Sequence, residues 1–99
     1  MTYHVELHPL AQQELTESYL WYEDRLEGLG VRFINAVHRT FGRIAKFPEA
    51  CPKKKGSYRE IIVREFPFTI IYEVFNKEKV VFVSYVFHTK RNPRLKYKR

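Results

Sequence analysis

The chain has 99 residues, of which 44% are hydrophobic and 16% aromatic, enough for the core of one domain, which we predict over residues 1–99. The single cysteine excludes an internal disulfide. The sequence shows no signal peptide, and it has no apolar run of the roughly 18 residues that span a membrane. We therefore expect a cytoplasmic protein without membrane contact. The net charge of +7 divides into −5 over residues 1–30 (six acids, one base) and +12 over residues 31–99 (seventeen bases, five acids), which suggests a polyanion-facing surface.

The first half of the sequence predicts one strand and two helices. Tyr3–Leu7 alternates apolar and polar residues, as a short half-buried strand does. Pro9 suits the first turn of a helix, and a second helix follows the short Gly28–Gly30 segment and ends before Pro48. Apolar residues recur at spacings of three and four along each helix, at Ala11, Leu15, Tyr19, Tyr22 and Leu26, and at Leu29, Phe33, Val37, Phe41 and Ile44. The short connection predicts an antiparallel helix hairpin.

The second half predicts a loop and three strands. Residues 48–57 are expected to be loop, and the strands follow at Tyr58–Arg64, Phe68–Phe75 and Val80–Phe87. The last strand is apolar on both faces, which is typical of a central strand. Simple alternation along this strand places Val81, Val83, Tyr85 and Phe87 on one face of the sheet. The order β-α-α-β-β-β predicts an α+β fold, with the hairpin packed on a small, twisted, mainly antiparallel sheet.

Residues 88–99, which we call the basic arm, contain six Lys or Arg residues and no acid. Because the arm directly follows a predicted core strand, we expect it to be held against the folded body. Clustered cations with interleaved aromatic and polar residues are typical of a surface that binds a polyanion. We therefore expect the arm and the middle strands to form a single positive surface for nucleic acid or an acidic protein segment.

Seven short segments, in this order, resemble one known family. They are His8–Ala11, Trp21–Glu23, Gly28–Phe33, Tyr58–Glu60, Phe66–Phe68, Ile71–Val74 and Val86–Pro93. Together they resemble the RelE/ParE superfamily of toxins from bacterial type II toxin–antitoxin modules. The Phe-Pro-Phe, Ile-Tyr and His-x-x-Arg-x-Pro patterns are closer to the ParE-like branch, often labelled plasmid-stabilisation proteins.

This resemblance implies a RelE-like fold and a cognate acidic antitoxin that wraps the toxin. It leaves three hypotheses for function. ParE-like members are thought to inhibit growth through a replication target, DNA gyrase, whereas RelE-like members are metal-free endoribonucleases that cut messenger RNA on the ribosome. The third hypothesis is a nontoxic basic binding module.

Cleavage of RNA without a metal needs proton-transfer groups and cations that stabilise the transition state. The candidate catalytic residues are His88, Arg59, Arg91 and Tyr97. The candidate nucleic-acid or target-binding residues are Lys53, Lys54, Lys55, Arg64, Lys90 and Arg94. Imidazole titrates near neutral pH, which suits proton transfer, and arginine suits bidentate phosphate contacts.

Each of these candidates also has a structural interpretation. His88 could cap the end of a strand, Arg59 could pair with Glu73 across the sheet, and the lysines could be solvated. The first-helix acids Glu14, Glu17, Glu23 and Glu27 are expected to be exposed. The four histidines show no metal-ligand spacing, so we expect neither a metal nor a cofactor.

Overall fold

Two helices and a five-stranded sheet make up residues 2–99, which this computed structural model describes; Met1 lies outside the described residues. The elements are β1 (His4–Leu7), α1 (Pro9–Arg25), α2 (Leu29–Lys46), β2 (Lys53–Lys55), β3 (Tyr58–Ile62), β4 (Phe68–Phe75), β5 (Val80–His88) and a final 3₁₀ turn (Pro93–Leu95). The predicted α+β class and the order of the helices and main strands are confirmed.

The strands lie in the order β1-β5-β4-β3-β2, with β1 parallel to β5 and every other pair antiparallel. β5 therefore has a neighbour on each side, as expected for a strand that is apolar on both faces, although β4 occupies the middle of the five. The expectation of an uninterrupted loop over residues 48–57 is wrong, because Lys53–Lys55 pairs with the start of β3. A run of lysines has little propensity for strand, but charged residues suit the outermost strand of a sheet.

The strand predicted at Tyr58–Arg64, which is β3, also ends earlier than expected, at Ile62. The chain turns there, with Glu65 in the left-handed region at φ 73° and the Val63 N–H donating to the Phe68 carbonyl at 2.9 Å.

A β-bulge at Ser84 changes the faces of β5. Tyr72 pairs with Val83 while the neighbouring Ile71 pairs with Tyr85, so Ser84 is an extra residue. Before the bulge, Val81 and Val83 face the helices. After it, Val86 faces them, and Tyr85 packs on the other side of the sheet with Phe87. The prediction that Val81, Val83, Tyr85 and Phe87 share a face is therefore wrong, because alternation along a strand reverses at one inserted residue.

Both helices pack on one face of the sheet and form the main core. Its fully buried members include Ala11, Phe33, Val37, Ile44, Ile70, Tyr72, Val81 and Val83. The connection between the helices is fixed by Glu23, whose carboxylate accepts the N–H groups of Gly28 at 2.9 Å and Gly30 at 3.0 Å. Glu23 therefore satisfies backbone donors at the start of α2. Its expected full exposure is wrong, since it is half-buried.

The opposite face of the sheet carries a smaller apolar cluster. Ile71, Tyr85 and Phe87 are buried there, and Tyr58 and Tyr97 pack against them. Because Tyr97 belongs to the basic arm, the arm covers this outer face, and it is held against the body as predicted.

We predict that Gly30→Ala destabilises the protein by about 1–3 kcal/mol, the usual cost of overpacking. A Cβ at Gly30 would lie 2.7 Å from the Tyr19 carbonyl oxygen and 2.9 Å from a Glu23 carboxylate oxygen. The matched control is Gly42→Ala, also within α2, where a Cβ meets nothing within 4 Å. Replacing this glycine should leave stability unchanged or raise it by up to about 1 kcal/mol. Urea unfolding measures both, and equal effects would contradict the close contact.

Candidate functional site

Glu14 joins α1, β5 and the basic arm. Its carboxylate accepts the Val86 N–H at 3.0 Å, Arg91 Nη1 at 2.7 Å, and Arg99 Nη1 and Nη2 at 2.8 and 2.9 Å. Arg99 Nη1 also donates to the Ser84 carbonyl at 2.8 Å. We call these groups the Glu14 cluster. The expectation that Glu14 is exposed is wrong, because its side chain is only 14% accessible.

The position of the cluster follows from the short length of β1. The pairing of β1 with β5 ends at Leu7 and Val83. Beyond Val83, backbone groups on that side of β5 meet side chains instead of a strand. Glu14 accepts from Val86 and Arg99 donates to Ser84, so both groups keep hydrogen-bond partners.

A second carboxylate, Glu60, holds the arm on the outer face of the sheet. It accepts from the Tyr97 hydroxyl and lies 3.4 Å from Lys96 Nζ. Burial, together with the hydrogen bond to Glu60, raises the pKa of Tyr97 to about 12. The Tyr85 hydroxyl accepts the Lys98 N–H at 2.8 Å, which fixes the arm further.

These contacts change the expected electrostatics of the arm. Arg91, Lys96 and Arg99, half of the six cations in residues 88–99, pair with carboxylates. Half of the arm's cations are therefore engaged by the fold itself, and the single positive surface made by the arm and the middle strands stays a prediction. The arm uses these cations to attach itself to the fold, a role that charge counting cannot distinguish from binding.

Arg59 is buried and holds the segment between α2 and β2. Its Nη1 donates to the Cys51 carbonyl at 2.5 Å, and its Nη2 lies 3.6 Å from the Glu49 carboxylate. The suggested pairing with Glu73 is wrong, since Glu73 accepts from the Ser57 hydroxyl.

Tyr72, opposite Arg59 on β4, makes a similar contact, with its hydroxyl 3.3 Å from the Pro48 carbonyl. Burial, followed by the contact with Cys51, raises the pKa of Tyr72 well above its ordinary value.

His88 ends β5 and caps the start of the arm. Its Nδ1 accepts the Lys90 N–H at 3.1 Å, and its ring packs edge-on against Phe68 with the centroids 5.0 Å apart. It also lines a mostly apolar groove of about 380 Å³ with Trp21 and Tyr22 of α1.

The four candidate catalytic residues occupy different parts of the molecule. Arg59 lies opposite Tyr72 and so shares the face that the helices cover, whereas Tyr97 binds Glu60 on the outer face. His88 and Arg91 lie at the end of β5 and at α1 respectively. The structure therefore does not bring Arg59 and Tyr97 together, and the catalytic assignment stays a prediction.

The six candidate binding residues are all exposed: Lys53, Lys54, Lys55, Arg64, Lys90 and Arg94. Lys55 Nζ lies 5.7 Å from the centre of the Tyr97 ring. Three cations that were not among the predicted site residues, Arg39, Arg43 and Lys46, line a groove with Arg64. Their spacing of four and three on a helix could have placed them on one face.

Two features are absent from residues 2–99. No three His, Cys, Asp or Glu side chains there are grouped so as to hold a metal ion. Neither helix of that segment combines the length and hydropathy needed to cross a bilayer.

Comparison with known proteins gives a family and a fold. The family model for the ParE toxin of the type II toxin–antitoxin system parDE matches residues 5–93. The structure is similar to the isolated RelE toxin of E. coli, with TM-score 0.63, 23% identity and coverage of 93% of this chain and 89% of that one. It is also similar to a chain of the chromosomal ParDE toxin–antitoxin system of P. aeruginosa, with TM-score 0.64, 13% identity and coverage of 90% and 98%. Curated protein sequences give no significant match.

We predict that Glu14→Gln lowers the free energy of unfolding by about 2 kcal/mol, because it leaves two arginines without their carboxylate in a partly buried site. Glu17→Gln is the matched control, since Glu17 lies one turn away on α1 and is exposed. Urea unfolding of both variants checks the difference. Similar values for the two would show that the Glu14 cluster contributes little to stability.

We predict a loss of stability in alkali that depends on Tyr97. Its pKa is about 12 in the fold against an ordinary 10.0, so the folded state holds the phenolic proton more tightly. This contribution is complete below pH 10 and disappears as the pH rises through about 12. The free energy of unfolding of the parent should therefore fall more steeply over this interval than that of Tyr97→Phe. Parallel curves would contradict the assignment.

Proposed function

The chain belongs to the ParE toxin family of type II toxin–antitoxin systems, and from this membership we propose that it inhibits growth by binding a replication target such as DNA gyrase. A cognate acidic antitoxin neutralises it. In this proposal the protein acts by occupying a surface of its target and not by cleaving RNA.

The separation of the candidate catalytic residues supports this proposal over cleavage of messenger RNA. General acid–base catalysis requires the proton-transfer groups and the phosphate clamps to reach one reacting phosphate. Arg59 is enclosed by the Cys51 and Glu49 backbone on the helix-covered face, and Tyr97 lies on the other face. No single phosphate could contact both without rearrangement of the sheet.

The protonation of Tyr97 is a second argument. A phenol with a pKa of about 12 stays protonated at neutral pH and is a poor general base. The neighbouring Glu60 carboxylate would also repel an approaching phosphate. These groups are better suited to hold the arm than to move protons during RNA cleavage.

The charge of the chain supports an acidic antitoxin. At +7, the toxin attracts an acidic partner over long range, which speeds association and makes it sensitive to salt. The neighbour from P. aeruginosa belongs to a ParDE toxin–antitoxin system. We propose the same kind of partnership for this chain.

The test is to induce the chain alone in a bacterium and together with its candidate antitoxin, the product of the adjacent reading frame. We expect growth arrest only in the first case. Extracts of arrested cells and the purified chain should inhibit supercoiling by gyrase, while primer extension on ribosome-bound message shows no new breaks.

Two conservative variants distinguish binding from catalysis. His88→Asn keeps a side-chain acceptor for the Lys90 N–H, and Tyr97→Phe keeps the ring on the outer face. Both should still arrest growth. A catalytic role would instead reduce RNA cleavage by roughly 10²–10⁴-fold. Message breaks that disappear in these variants would overturn the proposal in favour of an endoribonuclease, and the absence of any growth arrest would favour a nontoxic binding module.

A further inference from the structure

A second basic surface, built from cations outside the arm, lies between α2 and the turn that joins β3 to β4. It consists of two grooves of about 620 and 510 Å³ that share Arg43 and Arg64. We call it the basic trough and define it by its five cations: Arg39, Arg43, Lys46, Lys54 and Arg64. Its floor includes the small buried residues Ala36 and Thr40.

The trough cations differ from those of the arm in their partners. Within residues 2–99, no carboxylate lies at salt-bridge distance from any of the five. Two acids line the trough, and each has a partner outside it: Glu65 lies 3.7 Å from Arg32, and Glu60 binds Lys96 and Tyr97 of the arm. The positive potential of the trough is therefore available to a ligand, whereas much of that of the arm is neutralised internally.

The dipole of α2 accounts for only two of the five trough cations. Arg43 and Lys46 occupy the last turn of the helix, where cations interact favourably with the helix dipole. Arg39 lies outside that turn, and Lys54 and Arg64 come from other elements. Their convergence on one groove is not required by the stability of the helix.

An aromatic side chain accompanies the cations. Phe47 lines the trough and is 61% exposed, and Lys46 Nζ lies 5.7 Å from its ring centroid. Ile62 lines the adjoining groove and is 69% exposed. A row of cations beside an exposed aromatic ring is the combination by which proteins hold single-stranded nucleic acid without sequence preference.

We propose that the basic trough binds the phosphate backbone of single-stranded nucleic acid, with Phe47 stacking on a base. Arg39, Arg43 and Lys46 follow one another along a helix face and can contact successive phosphates, with Arg64 and Lys54 across the groove. Three of the five cations are arginines, whose planar donors suit phosphate oxygens. This activity adds to the proposed function and does not depend on it.

The test measures binding of the full-length chain to a fluorescent single-stranded oligodeoxynucleotide of about 15 nucleotides by anisotropy over a range of salt concentrations. RNA of the same sequence and the DNA duplex are parallel probes. Five phosphate contacts predict a slope of log K against log salt of about −3.5 for the single strand. The variant Arg39→Gln/Arg43→Gln/Arg64→Gln should bind about tenfold or more weakly, with a slope smaller by about 2.

The matched control is Lys90→Gln/Arg94→Gln/Lys98→Gln, which removes the same charge from exposed arm positions. It should keep the slope of the parent. Phe47→Ala should weaken binding of the single strand about tenfold and leave duplex binding unchanged. All substituted cations are exposed, and urea unfolding of each variant verifies that the fold is retained.

Three outcomes would overturn the proposal. Equal losses in the trough and arm variants would show attraction by net charge alone. Loss only in the arm variant would place the surface on the arm. Binding of poly-glutamate as tight as that of the oligonucleotide, with the same loss in the trough variant, would identify an acidic protein segment as the occupant. Neither gyrase nor antitoxin is present in this assay, so its failure would leave the proposed function standing.

Discussion

The Glu14 carboxylate is the point at which the three parts of this protein meet. It lies on the first helix, binds the backbone of β5 and pairs with Arg91 and Arg99 of the arm. A carboxylate with little exposure needs this many donors, because removal from water is costly unless each oxygen is satisfied. Glu14 thereby fixes one side of the arm, while Glu60 holds Lys96 and Tyr97 over the outer face of the sheet.

Local pattern was sufficient to predict most of the fold. The helix periodicity and the turn-forming Gly28 and Pro48 placed both helices, and the apolar residues on both faces of β5 placed it in the interior of the sheet. The failures have local physical causes. No residue pattern in the sequence marks the bulge at Ser84. The strand β2 exists only because Lys53 pairs with Arg59 across a turn. Both features are determined by hydrogen-bonded pairing between strands and not by the intrinsic strand propensity of the residues.

The candidate site was less predictable, because a charge in a sequence does not reveal its partner. Arg59 and Arg91 are arginines of the kind that bind phosphate, yet each is engaged by the protein itself. The contact between Glu14 and Arg99 spans 85 positions, so no local pattern could indicate it. The cations of α2 were visible in the sequence, but only the fold shows that Arg64 lies beside them. Predicting which cations are free to bind a ligand requires knowing which carboxylate each one meets in the folded structure.

The edges of the sheet carry a consequence for the protein in concentrated solution. One outer strand has only four residues, and the other consists of three exposed lysines. Neighbouring copies that approach with these lysine edges facing each other would repel, and so short an edge offers few free hydrogen bonds to a foreign strand. The sheet is thereby protected against stacking into larger aggregates, a protection that added salt would weaken by screening.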